Sequence, residues 1–264
     1  MDINKYIKAK KRLIDKALDR YLPSGNLKPQ IIHKAMRYAV FPGGKRIRPI
    51  FTIASFEACG GKTNSILPVA CAIELIHNYT LIHDDLPCMD NDEIRRGKLT
   101  CHKKFSESLA LLAGDALLTL SFQLLSEAGN LDIIKEVSMA IGSRGTIGGQ
   151  VVDIVKQKTE LDYIASRKTG ALFEAAVKAG GLFKGVDRKK IDNLANFGRL
   201  IGFTFQLIDD LIDKEGHVAL YGAGYVEKRA ALLTGKAETY LDIFGKKKAK
   251  RLLELSEAIL KRQS

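Results

Sequence analysis

Apolar residues recur at steps of three and four almost from end to end of this chain, and that spacing admits helices and little else. Ile3, Ile7, Ile14 and Leu18 line one face of a first segment, closed by Pro23-Ser24-Gly25. Ile31 to Val40 form a second, stopped at Pro42-Gly43-Gly44, and Arg48 to Cys59 a third, ended by Gly60-Gly61. Pro68 opens a long fourth helix that carries Glu74 and His77 into an aspartate-rich motif. No strictly alternating run bounded by hairpin turns interrupts the series, so no strand is required. The predicted class is all-α, a bundle of roughly ten or more helices around a central cavity. Hydrophobic residues make up 46 % of the 264, and the six prolines form no linker. Residues 1–264 are therefore read as one domain, near the upper size for a single core.

Two acidic motifs break the apolar pattern. Asp84-Asp85-Leu86-Pro87-Cys88-Met89-Asp90 follows Thr80-Leu81-Ile82-His83, and Asp209-Asp210-Leu211-Ile212-Asp213 follows Phe203 to Ile208. A carboxylate in such surroundings needs a partner or a cation. Hard oxygen ligands without a His/Cys constellation point to magnesium, which takes one or two carboxylates and completes its shell with substrate phosphates. Asp209 and Asp213 are four apart and share a helix face, with side chains roughly 5–6 Å apart, and Gln206 lies on that face. Asp84 and Asp90 are six apart, which a regular helix puts on different faces. Pro87 disturbs the helical bonding, so the helix ends or bulges there and Asp90 can return toward Asp84. Cations flank the motifs: Arg95-Arg96 after the first, Lys45, Arg46 and Arg48 at a helix start, and Lys168 before Thr169-Gly170. Arginine offers phosphate a two-pronged fork and lysine a point charge. Two facing carboxylate patches would clamp a diphosphate through bridging metal ions, with a second anion held by cations.

The formal charge of +12 selects anions as partners without saying which: nucleic acid, an acidic membrane and a phosphorylated small molecule all fit. The basic run from Lys246 to Lys250, then Arg251, reads as a solvated last helix with cations near its C-terminus. Gly142, Gly145, Gly148 and Gly149 match neither a P-loop nor GxGxxG and read as close helix packing. Four cysteines without a CxxC pair imply reduced thiols and a cytoplasmic setting. The charged stretch 1–19 has no signal-peptide core. The most apolar stretch, Leu109 to Phe122, is broken by Asp115 and too short to cross a bilayer. Neither stable membrane insertion nor a nucleic-acid partner is expected.

The segments Gly43-Gly44-Lys45-Arg46-Ile47-Arg48-Pro49, Leu81 to Asp92 with Arg95-Arg96-Gly97, Ala113 to Leu117, Gly149 to Asp153, Lys168 to Leu172, and Phe205-Gln206 leading into Asp209-Asp210 stand in one order along the chain. In that order the sequence resembles the trans-isoprenyl diphosphate synthases, the polyprenyl synthetase family, over nearly its full length. The first motif, with two residues inserted between its aspartates, is similar to that of short-chain bacterial farnesyl and plant geranylgeranyl diphosphate synthases. The resemblance implies a magnesium-dependent prenyltransferase that condenses isopentenyl diphosphate head-to-tail with dimethylallyl or geranyl diphosphate and releases pyrophosphate. It implies about three Mg²⁺ ions with substrate bound, held by Asp84, Asp90, Asp209 and Asp213. Asp85, Arg95, Lys168 and Asp210 join Asp84, Asp90 and Asp209 in the catalytic set. Lys45, Arg48, His77 and Arg96 would bind isopentenyl diphosphate, Arg95, Lys168 and Gln206 would contact the allylic substrate, and Thr169 would line the reacting centre. Tyr79 and Thr80, one turn before Asp84, would set chain length, with a C15 product expected and C20 as the alternative. A homodimer is the implied assembly. One departure stands out: Lys214 to Gly222 runs almost directly into the next helix, where the family carries a longer loop with two lysines. A non-catalytic prenyl-synthase-like subunit is the alternative that this short connection keeps open, although two intact aspartate motifs argue against it. A class I terpene cyclase is disfavoured by Lys45, Arg48 and Arg96.

Overall fold

The computed structural model describes residues 2–41, 43–155 and 160–262, so Pro42, expected to stop the second helix, lies outside the described residues. The chain forms two compact units, Met1–Ile50 with Leu67–Gly129 and Phe51–Ile66 with Asn130–Ser264. Fourteen α-helices and one two-stranded hairpin are found among the described residues, as the apolar spacing predicts for all but the hairpin.

The first unit begins with α1 (Ile3–Tyr21) and α2 (Gln30–Val40). It takes the opening of α3 (Ile47–Ala58), whose remainder belongs to the second unit. It continues with α4 (Leu67–Asp84), strands β1 (Ile94–Arg95) and β2 (Lys98–Leu99), α5 (Cys101–Lys104) and α6 (Glu107–Glu127). α4 packs chiefly along α6. Ile73, Leu75 and Ile76 of α4 are fully buried, so the hydrophobic effect acts on most of its circumference. Gly114 of α6 makes this approach possible, since a Cβ there would lie 2.2 Å from His83 Nε2.

Arg46 departs from its reading as an anion-facing cation. Its side chain is fully buried; it donates to Glu74 at 2.6 Å, Asp15 at 2.9 Å and the Val40 carbonyl at 2.8 Å. A buried guanidinium is tolerable only with such a full set of acceptors. Gly43 leaves it room, because a Cβ would lie 1.7 Å from Arg46 Nη2. The hairpin was not foreseen because its strands have two residues each. Arg96 and Gly97 at its tip both take positive φ, 54° and 74°, the twist that a tight antiparallel turn favours.

α6 also corrects a sequence reading. Ser106 caps it by accepting from the Leu109 N–H at 3.2 Å, and the helix runs for 21 residues, well beyond the stretch judged too short to span a membrane. The segments Thr63–Asp84 and Glu107–Glu127 are both long and apolar enough to cross one. The first is 72 % buried within the protein and is a core helix. The second is 39 % buried and shows Leu111 and Leu112 to solvent.

The second unit holds α7 (Leu131–Ile141), α8 (Thr146–Ile154) and α9 (Leu161–Ile164), then a π-helical turn, Ala165–Gly170. After it come α10 (Ala171–Lys184), α11 (Arg188–Asp213), α12 (His217–Tyr221), α13 (Ala223–Thr239) and α14 (Lys246–Leu260). α11 is the spine, packed on α10, α13 and α14. Phe51 meets Phe173 and Phe197 at ring distances of 5.9 and 6.2 Å in its core. Close packing does account for the glycine cluster: a Cβ at Gly145 or Gly148 would strike a carbonyl at 1.9 or 2.1 Å, and one at Gly149 the Lys168 nitrogen at 2.2 Å. The basic run at 246–251 opens α14 instead of closing it, so the helix dipole does not explain those cations.

Candidate active site

In the first unit α4 ends at Asp84, and the chain doubles back so that the Asp90 N–H donates to the Asp84 carbonyl at 2.9 Å. The return that Pro87 predicts is therefore made by the backbone, with Asn91 at φ 55° completing it. Asp84 is half-buried and Asp90 exposed. Asp85 faces elsewhere: it is buried and accepts from Arg95 Nε at 2.5 Å, while Arg95 Nη2 holds Asp92 at 3.0 Å. Burial raises the Asp85 carboxyl above its ordinary value, with Arg95 opposing. Arg95 and Asp85, read as catalytic, are thus partners of one another in this state.

The cations expected to hold isopentenyl diphosphate do gather. Arg48 Nη1 lies 3.3 Å from His77 Nε2 on α4. The Arg96 guanidinium crosses Gly44, where a Cβ would lie 2.6 Å from Nη2, which brings it to the loop that carries exposed Lys45. Burial, then Arg48, Arg96, Arg46 and Arg95, push the His77 imidazole well below its ordinary value. His77 is therefore a neutral hydrogen-bonding group near neutral pH, surrounded by positive charge suited to an anion. Thr80 donates to the His77 carbonyl at 2.8 Å. Tyr79 is buried edge-on to His83 at 5.6 Å, and its hydroxyl has no partner among the described residues. Burial and then Asp84 raise that phenol to about 12.

In the second unit Lys168 and Thr169 lie on the π-helical turn, whose wider winding is a recurrent device at functional sites. Lys168 pairs with Asp153 at 2.6 Å. Thr169 donates to Gln206 Oε1 at 2.7 Å, and Gln206 Nε2 donates to Asp210 at 2.9 Å. The Gln206 amide thus serves Asp210, one turn on, and not the Asp209/Asp213 pair. Asp213 is exposed at the last turn of α11.

Two partners escaped the sequence reading. Arg262 Nη2 reaches Asp209 at 2.7 Å, its guanidinium lies 4.8 Å over the Phe205 ring, and its Nε and Nη1 are buried without a partner among the described residues. His217 donates its N–H to Asp210 at 3.0 Å, and its ring nitrogens lie 2.6 Å from Asp210 and 3.0 Å from Asp162. Gly216, at φ 54°, lets the chain pass so close, since a Cβ would lie 2.6 Å from the Asp210 carboxylate. Burial raises the Asp210 carboxyl, but the His217 and Gln206 bonds outweigh it and hold it below its ordinary value. No spacing rule connects residues 209 and 262 or 162 and 217, so only the fold reveals either pair.

Among the described residues no three His, Cys, Asp or Glu side chains form a ready-made metal cage. Each aspartate cluster instead offers carboxylate oxygens and leaves other positions to be filled from outside the protein. That donor set fits magnesium shared with a phosphate ligand.

Residues 29–227 match the polyprenyl synthetase family. A geranylgeranyl pyrophosphate synthase 4 of Arabidopsis thaliana is 41 % identical over 266 residues, covering 96 % of this chain and 70 % of that protein. A farnesyl diphosphate synthase of Geobacillus stearothermophilus is 42 % identical, covering 82 % and 77 %. The crystal structure of an FPP/GFPP synthase from Zymomonas mobilis superposes with a TM-score of 0.92 at 34 % identity, over 98 % of both chains. The chain spans 60 to 70 % of the length of the first curated relatives that it matches. This chain belongs to the polyprenyl synthetase family.

Proposed function

We propose that residues 1–264 act as one short-chain prenyl diphosphate synthase domain, joining isopentenyl diphosphate head-to-tail to an allylic diphosphate and releasing pyrophosphate. The observation that carries this reading is the pairing of chemistries in the first unit. The backbone closes Asp84 onto Asp90, while Arg48, His77 and Arg96 gather as a separate anion-binding group. Asp84, Asp90, Asp209 and Asp213 are the residues to hold magnesium, about three ions with substrate bound. When bound, those ions neutralise charge on the departing diphosphate. Lys45, Arg48, His77 and Arg96 bind isopentenyl diphosphate and hold its double bond in place, which removes much of the entropic barrier. Lys168, Thr169 and Gln206 meet the allylic substrate. Arg95 and Lys168 leave their internal carboxylates when phosphate oxygens compete for them, an exchange of one charge-assisted bond for another. No protein base is assigned, and pyrophosphate is the acceptor for the final proton.

The proposed product is C15, with Tyr79 beneath Asp84 limiting growth and C20 as the alternative. A homodimer through the uncovered apolar face of α6 around Leu111 and Leu112 is the proposed assembly. Four thiols without a disulfide among the described residues fit a cytoplasmic setting. Incubation with isopentenyl diphosphate, Mg²⁺ and each allylic primer in turn, followed by product mass measurement, tests the reading. A farnesyl-length product is expected. No condensation with any primer would leave the non-catalytic subunit in its place.

A further inference from the structure

The second unit carries more positive charge on one face than its fold uses. α14 opens on Lys246, Lys247 and Lys248, all exposed, and α11 opens on Arg188, Lys189 and Lys190. α14 packs on α11. Lys190, Lys248 and Lys184, from three different helices, all lie near enough to the Cys59 thiol at the end of α3 to act on it electrostatically. The two helix openings and the end of α10 therefore converge. Carboxylates answer part of this charge: Asp187 holds Lys190 at 2.6 Å, Asp192 holds Arg188 at 2.9 Å, and Glu254 holds Arg251 at 2.5 Å with Lys250 at 3.9 Å. Lys184, Lys189, Lys246, Lys247 and Lys248 have no ion-pair partner among the described residues. The lysines at 189 and 246–248 also stand at helix N-termini, where the aligned peptide dipoles disfavour positive charge. Neither pairing nor helix stability accounts for them.

We propose that this lysine face is a docking surface for anionic lipid bilayers. Unpaired lysines are strongly hydrated point charges, suited to a diffuse layer of lipid phosphates. Nucleic-acid recognition favours free arginine forks and exposed aromatic rings, but Arg188 and Arg251 are engaged. Residues 184–190 and 246–251 also present no exposed large apolar side chain. The choice of lipid rests on the proposed function, because a prenyl diphosphate of C15 or longer is an amphiphile that partitions into membranes. The mode is surface adsorption, in which each lysine adds a modest increment and salt screens the whole.

Co-sedimentation with phosphatidylcholine vesicles, with and without phosphatidylglycerol, tests this for the full chain. Binding should require phosphatidylglycerol and disappear at high salt. The triple variant Lys246→Gln/Lys247→Gln/Lys248→Gln should bind on the order of a hundredfold more weakly. Lys5→Gln/Lys8→Gln/Lys16→Gln, which removes the same charge from α1, should bind like wild type. Equal losses in both variants would assign the effect to bulk charge and overturn the proposal. So would equal binding to vesicles lacking phosphatidylglycerol, or displacement from vesicles by a short single-stranded RNA at equal phosphate. Condensation of soluble substrates without vesicles should be unchanged in both variants. If wild type lacks that activity but binds vesicles as described, the catalytic reading falls and the docking surface stands.

Discussion

Asp209 has a proposed role as a metal ligand and, in the folded chain, a cation already beside it. Arg262 is steered by Phe205 and has two donors without a partner among the described residues, so the contact is held by packing as well as by charge. A guanidinium this close repels an incoming divalent ion and occupies one carboxylate oxygen. Arg262→Met should therefore raise Mn²⁺ affinity at the second cluster by about tenfold, read by electron paramagnetic resonance in an Asp84→Asn background. Lys261→Met, which alters an exposed lysine paired with Glu257, should leave it unchanged. Unaltered affinity in the arginine variant would show that Arg262 does not compete. His217 makes a second residue-scale prediction. Burial lowers its imidazole value, but Asp210 and Asp162 outweigh that and raise it above 6.5. Its stabilising contribution is complete below 6.5 and is lost as pH rises through the higher folded value. Asp162 is held low, chiefly by Arg229, so its own contribution is present above 3.8 and lost in acid. Thermal melts of wild type should fall on the alkaline side of the imidazole range, and His217→Gln should flatten that fall. Parallel pH profiles for the two proteins would refute the charged triad.

At the scale of elements, the segments proposed to bear chemistry are those where regular helix stops. α4 ends at Asp84 so that Asp90 can return, the hairpin tip carries Arg96 at a positive φ, and a π-helical turn presents Lys168 and Thr169. Such departures from local preference are expected where function overrides stability. They also mark the limit of what one sequence reveals. The helices themselves were legible because burial imposes a three-to-four spacing, and the turn after Asp84 was legible because proline has a known local effect. The internal partners of Arg46, Asp209 and Asp210 were hidden, because nothing in sequence spacing links residue 46 to 15 or 209 to 262. α4 carries the chain-length prediction. Tyr79 and His83 share its α6-facing stripe, since His83 meets both Tyr79 and the Leu111 carbonyl. Tyr79→Ala removes the bulk one turn below Asp84 and should lengthen the product by at least one five-carbon unit. A product distribution identical to wild type would place the limit on another residue.

For the molecule as a whole, the +12 charge divides into parts with different consequences. Arg46 is spent inside the first unit, Arg48 and Arg96 belong to the proposed anion site, and Lys189 and Lys246 to Lys248 of α11 and α14 face solvent. α6 adds two adjacent exposed leucines, Leu111 at 46 % and Leu112 at 53 %, on which the proposed assembly rests. Light scattering should report a dimer, and Leu111→Glu with Leu112→Glu should give a monomer; a wild-type monomer at micromolar concentration would refute the assembly. The proposed metal-assisted departure of diphosphate requires both aspartate clusters. The most direct measurement is condensation turnover of wild type, wild type in EDTA, Asp84→Ala and Asp209→Ala, with helicity followed by circular dichroism. Turnover should fall by several orders of magnitude in each of the last three, at 1.36 kcal/mol of barrier per tenfold, with helicity retained. Turnover that persists in EDTA, or in either folded variant, would contradict it.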